Sequence, residues 1–257
     1  MPAYLALFIA TVSLLCCGCS TSTPKGALAP QHDCVILLHG LARTSGSMLP
    51  MAEALQAQGY QVVNVDYPSR QLPIAELAQT AIPAALSECR AGRMTNKAAD
   101  KIHFVTHSLG GILLRQYLHS HKIPDLHRVV MLAPPNKGSE IVDHLKELPP
   151  FEWINGPAGS ELGTTASDLP QQLGPANFEL GIIAGTRSIN LLLSLYLPNP
   201  DDGKVSVEST KMEGMRDFIA LPVSHPFIMK DQDTIAQAIY FLQQGQFKHE
   251  HSAVRRP

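Results

Sequence analysis

Short apolar runs punctuate the chain at 34–39, 61–66, 102–107, 127–133, 179–184 and 217–221, each rich in Val, Ile, Leu, Phe or Ala. Runs of this length without strict alternation are the pattern of strands covered on both faces. Between them the spacing of apolar positions predicts helices near 47–58, 73–90, 109–121 and 231–243. Strand–helix alternation of this kind predicts an α/β architecture: a mostly parallel sheet of about six strands with helices on both faces. Two stretches interrupt it. Residues 137–178 hold helical pieces and the loop Asn155-Gly156-Pro157-Ala158-Gly159. Residues 189–197, Ile-Asn-Leu-Leu-Leu-Ser-Leu-Tyr-Leu, are so apolar that three readings stay open: pocket lining, exposed flap or packed loop. Trp153, the only tryptophan, fits an anchor of the first insertion or a core position equally well.

Composition narrows the class. With 257 residues, 45% hydrophobic and 16% charged, the chain is long enough for one domain with a large core. A formal net charge of −2 leaves no electrostatic footprint for nucleic acid. Residues 3–19 carry no charge and are too short for a comfortable membrane span, so residues 1–19 are expected to be a secretory signal, although no Lys or Arg precedes the run. The run ends in Gly18-Cys19-Ser20, which resembles a bacterial lipoprotein processing site with Cys19 as the lipidated residue. Cys16 stands where that site would have leucine, so Cys17 and plain signal cleavage remain alternatives. Residues 20–33 read as a flexible tether, 34–245 as the folded domain and 246–257 as a polar tail. The expected location is the periplasm, or the outer membrane through a lipid anchor.

The stretch Ile102-His-Phe-Val-Thr-His107-Ser108-Leu109-Gly110-Gly111 brings in chemistry. A strand pattern runs into a serine between small residues, and a helical pattern follows at once. A tight strand–turn–helix of this kind exposes a serine Oγ at a helix N-terminus, where developing negative charge is favoured. Thr106 departs from the glycine usual two places before such a serine, and is expected to fit if the turn opens slightly. Val35-Ile-Leu-Leu38-His39-Gly40-Leu41 is a strand whose end can aim the Leu41 amide at a substrate carbonyl, with the Leu109 amide as second donor. In the proline- and glycine-rich loop 199–205, Asp202 is the first candidate for an orienting acid and Asp201 the second. His225, between the last strand and the last helix, is the candidate base. Among the other histidines, His107 is expected to support the loop and His103 to lie inside a buried strand. His119, His121, His127 and His144 are expected at the surface. His249 and His251 form a His-x-His pair in the tail without the further ligands a metal needs. Tyr67 and Arg70 end a strand on the same side and are candidates for substrate contact.

Leu38-His39-Gly40-Leu41, Thr106-His107-Ser108-Leu109-Gly110-Gly111, Ala133-Pro134-Pro135-Asn136-Lys137-Gly138-Ser139, Asp202-Gly203-Lys204-Val205 and Ser224-His225 together resemble the α/β-hydrolases, within them the small bacterial lipases and esterases. The resemblance spans residues 34 to about 245. It implies a Ser108–His225–Asp202 serine hydrolase acting on lipid or acyl esters, with no metal or organic cofactor, and a lid-like role for 137–178. Acyl transfer, thioester or amide cleavage on the same residues, or a non-catalytic binding module, remain open. In the family's sheet the strand opened by Cys34 neighbours the strand beginning near Lys101, which Cys89 precedes. Both cysteines then fall at the sheet end opposite the active site, and the resemblance implies a disulfide between them.

Overall fold

Runs such as Cys34–Leu38 have no polar side chain to turn toward water, and the sheet they form is covered on both sides. The computed structural model describes residues 33–91 and 101–249. The expected signal segment with Cys19, the expected tether up to residue 32 and residues from 250 on, with His251, lie outside the described residues. Six strands, β1 Cys34–Leu38, β2 Gln61–Val65, β3 Ile102–His107, β4 Leu126–Leu132, β5 Glu179–Gly185 and β6 Asp217–Leu221, form one sheet in the order β2-β1-β3-β4-β5-β6. All five pairings are parallel. The helices are α1 Leu49–Ala57, α2 Ile74–Ala91, α3 Leu109–Ser120, α4 Glu140–Leu145, α5 Pro149–Ser160, α6 Leu169–Gln172, α7 Leu191–Ser194, α8 Val207–Thr210 and α9 Gln232–Gln244.

The two-residue period of a strand divides the core. Val35 and Leu37 of β1 pack with Met51 and Leu55 of α1 and with Phe241 and Leu242 of α9. Ile36 and Leu38 face the other way, onto Leu77 and Ile82 of α2 and Ile112 and Leu113 of α3. The chain leaves β1 toward β2 and returns on the other side to form β3. The carboxyl ends of β1 and β3 therefore flank the point where the winding reverses, the place where open parallel sheets leave a crevice.

The far end of the sheet is closed covalently and by polar contacts. Cys34 at the start of β1 and Cys89 near the end of α2, both buried, form a disulfide. His103 is buried in β3 and meets the Asp33 carboxylate through Nε2 at 3.3 Å. His127 differs from its expected surface position: it is only partly exposed, because its ring packs edge-on against His103, 5.2 Å between centroids. The chain beyond α9 is also held. Phe247 is buried against Phe241, and the His249 ring sits 2.9 Å from the Asp217 carboxylate.

The insertion 137–178 supplies α4, α5 and α6. Helix α5 kinks at Gly156, whose φ is 68°, and a Cβ there would lie 1.9 Å from the Arg70 carbonyl oxygen. Only glycine permits both the left-handed backbone and that approach. Trp153 of α5 is not a core residue: it is 86% exposed.

Candidate active site

Three non-glycine residues with positive φ stand at the carboxyl ends of three neighbouring strands: Ala42 after β1, Ser108 after β3 and Ala133 after β4. Such backbone is costly, and its concentration at one end of the sheet marks a place where geometry is bought with strain. Ser108 is the extreme case, with φ 51° and ψ −118°. Its N–H is tied to the Leu132 carbonyl at 2.9 Å, and α3 begins at the next residue. The elbow needs Gly110. A Cβ there would lie 2.5 Å from the Leu38 carbonyl oxygen, so the first turn of α3 packs directly on the β1 backbone. Thr106, in place of the usual glycine, is wholly buried within β3 beside Gly111, and its hydroxyl has no hydrogen-bond partner among the described residues.

Ser108, His225 and Asp202 are brought together by loops from three different strand ends. Ser108 Oγ is 3.1 Å from His225 Nε2, and His225 Nδ1 is 2.8 Å from Asp202 Oδ2. The pattern assigns Nδ1–H as donor to the carboxylate, leaving the Nε2 lone pair to accept the serine hydroxyl. Asp202 is fully buried and its other oxygen accepts the backbone N–H groups of Lys204 and Val205 at 3.0 and 2.9 Å. The His225 N–H in turn donates to the Asp202 carbonyl at 3.0 Å, so the two loops are joined by backbone as well as side chain. Asp201 points elsewhere. Its Oδ1 accepts the Ser194 hydroxyl and the Gly203 N–H, both at 2.7 Å, which fastens α7 to the loop.

The loop after β1 is built from a distance. The Ala42 N–H donates to the buried Ser69 hydroxyl at 3.1 Å. The Tyr67 ring stacks on His39 with centroids 3.9 Å apart, and its hydroxyl donates to the His39 carbonyl. Tyr67 is thus a buried prop under His39 rather than a freely projecting substrate contact, while Arg70 donates to the Ile154 carbonyl at 3.4 Å and ties this loop to α5. Leu41 lines the same cleft as Ser108, and the Leu109 amide, first in α3, has no acceptor within its own helix.

His107 does more than pack. It is buried, its Nε2–H donates to the His225 carbonyl at 3.1 Å, and the two rings lie 4.8 Å apart. Burial pushes its basicity well below that of an ordinary imidazole, and the neighbouring His225 adds to the effect. Burial likewise lowers His39, and lowers His127 to about 4. These rings stay neutral in the folded protein but take up protons near pH 6.5 when unfolded, so below that value the unfolded chain binds more protons. Stability is fully present above about pH 7 and is lost as the pH falls from about 6.5 toward 4. Urea midpoints are expected to be level at and above about pH 7 and to decline steadily below about 6.5. A level profile down to about pH 5 would contradict the neutral burial of these rings.

A cleft of about 560 Å³ opens over Ser108 and His225. Its walls are mainly apolar: Leu41 from the β1 loop, Ile141, Val142 and Leu145 from α4, Phe151 and Ile154 from α5, and Ile189 and Leu193 from the second insertion. That second insertion combines two of its expected roles. Ile189 and Leu193 face the cleft, while Leu191, Leu192 and Leu195 are at least 75% exposed beside it. Among the described residues no group of three or more His, Cys, Asp or Glu side chains is placed to hold a metal ion.

A family model described as the alpha/beta hydrolase family matches residues 35–237. No curated protein matches the chain in sequence. Among solved structures, the mature lipase of Bacillus licheniformis is similar at 18% identity, with 84% of this chain and 93% of that one covered and a TM-score of 0.63. A phospholipase of Legionella pneumophila is similar at 18% identity over 84% of this chain and 60% of its own, also with a TM-score of 0.63. An esterase of Pyrococcus furiosus is similar at 16% identity over 83% and 82%, with a TM-score of 0.58. At these identities the likeness is one of fold.

Proposed function

The chain belongs to the alpha/beta hydrolase family, and from that premise we propose that it hydrolyses carboxylic esters with an apolar acyl part through an acyl-enzyme on Ser108. The observation that carries this reading is the Ser108–His225–Asp202 chain of hydrogen bonds at the floor of an apolar cleft. His225 Nε2 takes the hydroxyl proton as Ser108 Oγ attacks the ester carbonyl, and Asp202 stabilises the imidazolium that forms. The amides of Leu41 and Leu109 receive the negative oxygen. The imidazolium then gives its proton to the departing alcohol, and water deprotonated by His225 releases the acid and regenerates Ser108. Export accompanies this proposal, with lipidation at Cys19 as its anchoring form. The uncharged N-terminal run and the Cys34–Cys89 bond, at home in an oxidising compartment, support it.

The test is intact mass after exposure to a fluorophosphonate. Wild type is expected to gain one adduct, and Ser108→Ala none, while the variant keeps the wild-type melting temperature. Hydrolysis of a short activated ester should fall by at least about 10³-fold in the variant. Folded wild type that takes no adduct, with or without detergent, would point instead to a binding module.

A further inference from the structure

A second and larger cleft, about 1050 Å³, adjoins the first across the loop after β1, and Ala42, Arg43 and Ile154 border both. Its character is different. Arg43, Arg70 and Lys230 line it together with Gln71, Trp153 and a single carboxylate, Asp66. That carboxylate is already engaged by the loop, accepting the Ser45 N–H at 2.9 Å and lying 3.7 Å from His39 Nε2. None of the three cations forms an ion pair with a carboxylate among the described residues, and the Arg70 guanidinium donates to the Ile154 carbonyl. Since the chain carries a formal net charge of −2, this positive excess is local. It also extends to the rim of the first cleft, which Arg43 borders. Arg43 helps to depress both His107 and Lys204, which line the cleft over Ser108, in each case after the larger effect of burial.

We propose that the polar cleft receives the alcohol part of the substrate and that this part carries a phosphate. The inference rests on the ester-hydrolase reading above. An ester bound across Ser108 must place its acyl chain and its alcohol in different directions, and two clefts of opposite character meet at Arg43. The apolar cleft suits the chain. All three cations are exposed and solvated in the free protein, and a phosphate offers them oxygens that guanidinium and ammonium groups recognise far better than a neutral alcohol. In the reaction the bond between the acyl carbon and the alcohol oxygen breaks and one water is consumed. The phosphate-bearing alcohol leaves through the polar cleft with the proton from His225, and the carboxylic acid remains in the apolar one.

The test compares two soluble esters with the same short acyl chain, 1-acylglycerol 3-phosphate and 1-acylglycerol, each below its micelle concentration. At low ionic strength kcat/KM is expected to be about tenfold or more higher for the phosphate ester, with the advantage shrinking as salt screens the cations. Lys230→Gln should lower kcat/KM about fivefold for the phosphate ester, Lys230→Glu should lower it further, and both should leave the neutral ester unchanged. Arg70→Gln should act in the same sense, read beside Lys230→Gln because it also releases the Ile154 carbonyl. Equal kcat/KM for the two esters, or variants that lower both alike, would overturn the inference while ester hydrolysis stands. Cleavage of neither, with no adduct on Ser108, would overturn both readings.

Discussion

Asp202→Asn is expected to lower kcat on an activated ester by about 10⁴-fold with little change in KM, the scale known for the equivalent change in a serine protease. The geometry makes the sign unambiguous. Two backbone N–H groups, of Lys204 and Val205, already donate to Asp202 Oδ1. An asparagine there keeps its carbonyl oxygen toward those donors and turns its NH₂ toward His225 Nδ1. The imidazole then carries its proton on Nε2, where it can no longer accept one from Ser108. Asp201→Asn offers the contrast. Its side-chain oxygen can still accept from Ser194 and Gly203, so activity should stay within about threefold of wild type. Steady-state kinetics on the two variants decide the matter, and equal losses would move the orienting role away from Asp202.

The second large effect concerns stability. The Cys34–Cys89 bond closes a loop with a sequence separation of 55 residues. Chain entropy alone assigns such a closure about 4 kcal/mol. In a domain of this size that corresponds to a fall of roughly 10 °C in Tm for the Cys34→Ala, Cys89→Ala double variant. Alanine is chosen because both sites are buried and a serine hydroxyl there would need a partner. Calorimetry measures the shift. Activity at room temperature should survive, because the bond lies at the end of the sheet remote from Ser108. An unchanged Tm would mean that the packing of α2 on β1 and β2 already closes the loop without it.

The sheet was legible because each of its strands is a short run rich in apolar residues set between helical patterns, and β3 and β6 span the residues that their patterns delimit. Ser108 and His225 were legible through punctuation: a serine among small residues at a strand–helix junction, and a histidine after the last strand. The sequence put Asp202 ahead of Asp201, but only the turn of the backbone shows Asp202 facing His225 and Asp201 facing Ser194. Contacts between distant segments were silent too. Nothing local announces that Tyr67 will stack on His39, that Ser69 will hold Ala42, or that His107 will reach the carbonyl of a residue 118 positions later. His127 misled for the same reason. It lies near the start of β4 beside Arg128 and is drawn inward by a ring from elsewhere, His103.

The cleft over Ser108 draws its reacting side chains and its walls from separate stretches of the chain. Ser108, Asp202 and His225 stand on turns beside the sheet, while most of the apolar wall comes from 141–162 and 189–193. Helix α5 meets the loop after β2 through the backbone at Gly156 and through the Arg70 side chain on the Ile154 carbonyl, a joint set by few residues. Selection can therefore rewrite which molecules are accepted, residue by residue in the two insertions, without disturbing the apparatus beneath. For the same reason, swapping those two segments between members of the family is the economical route to a new substrate range on this scaffold.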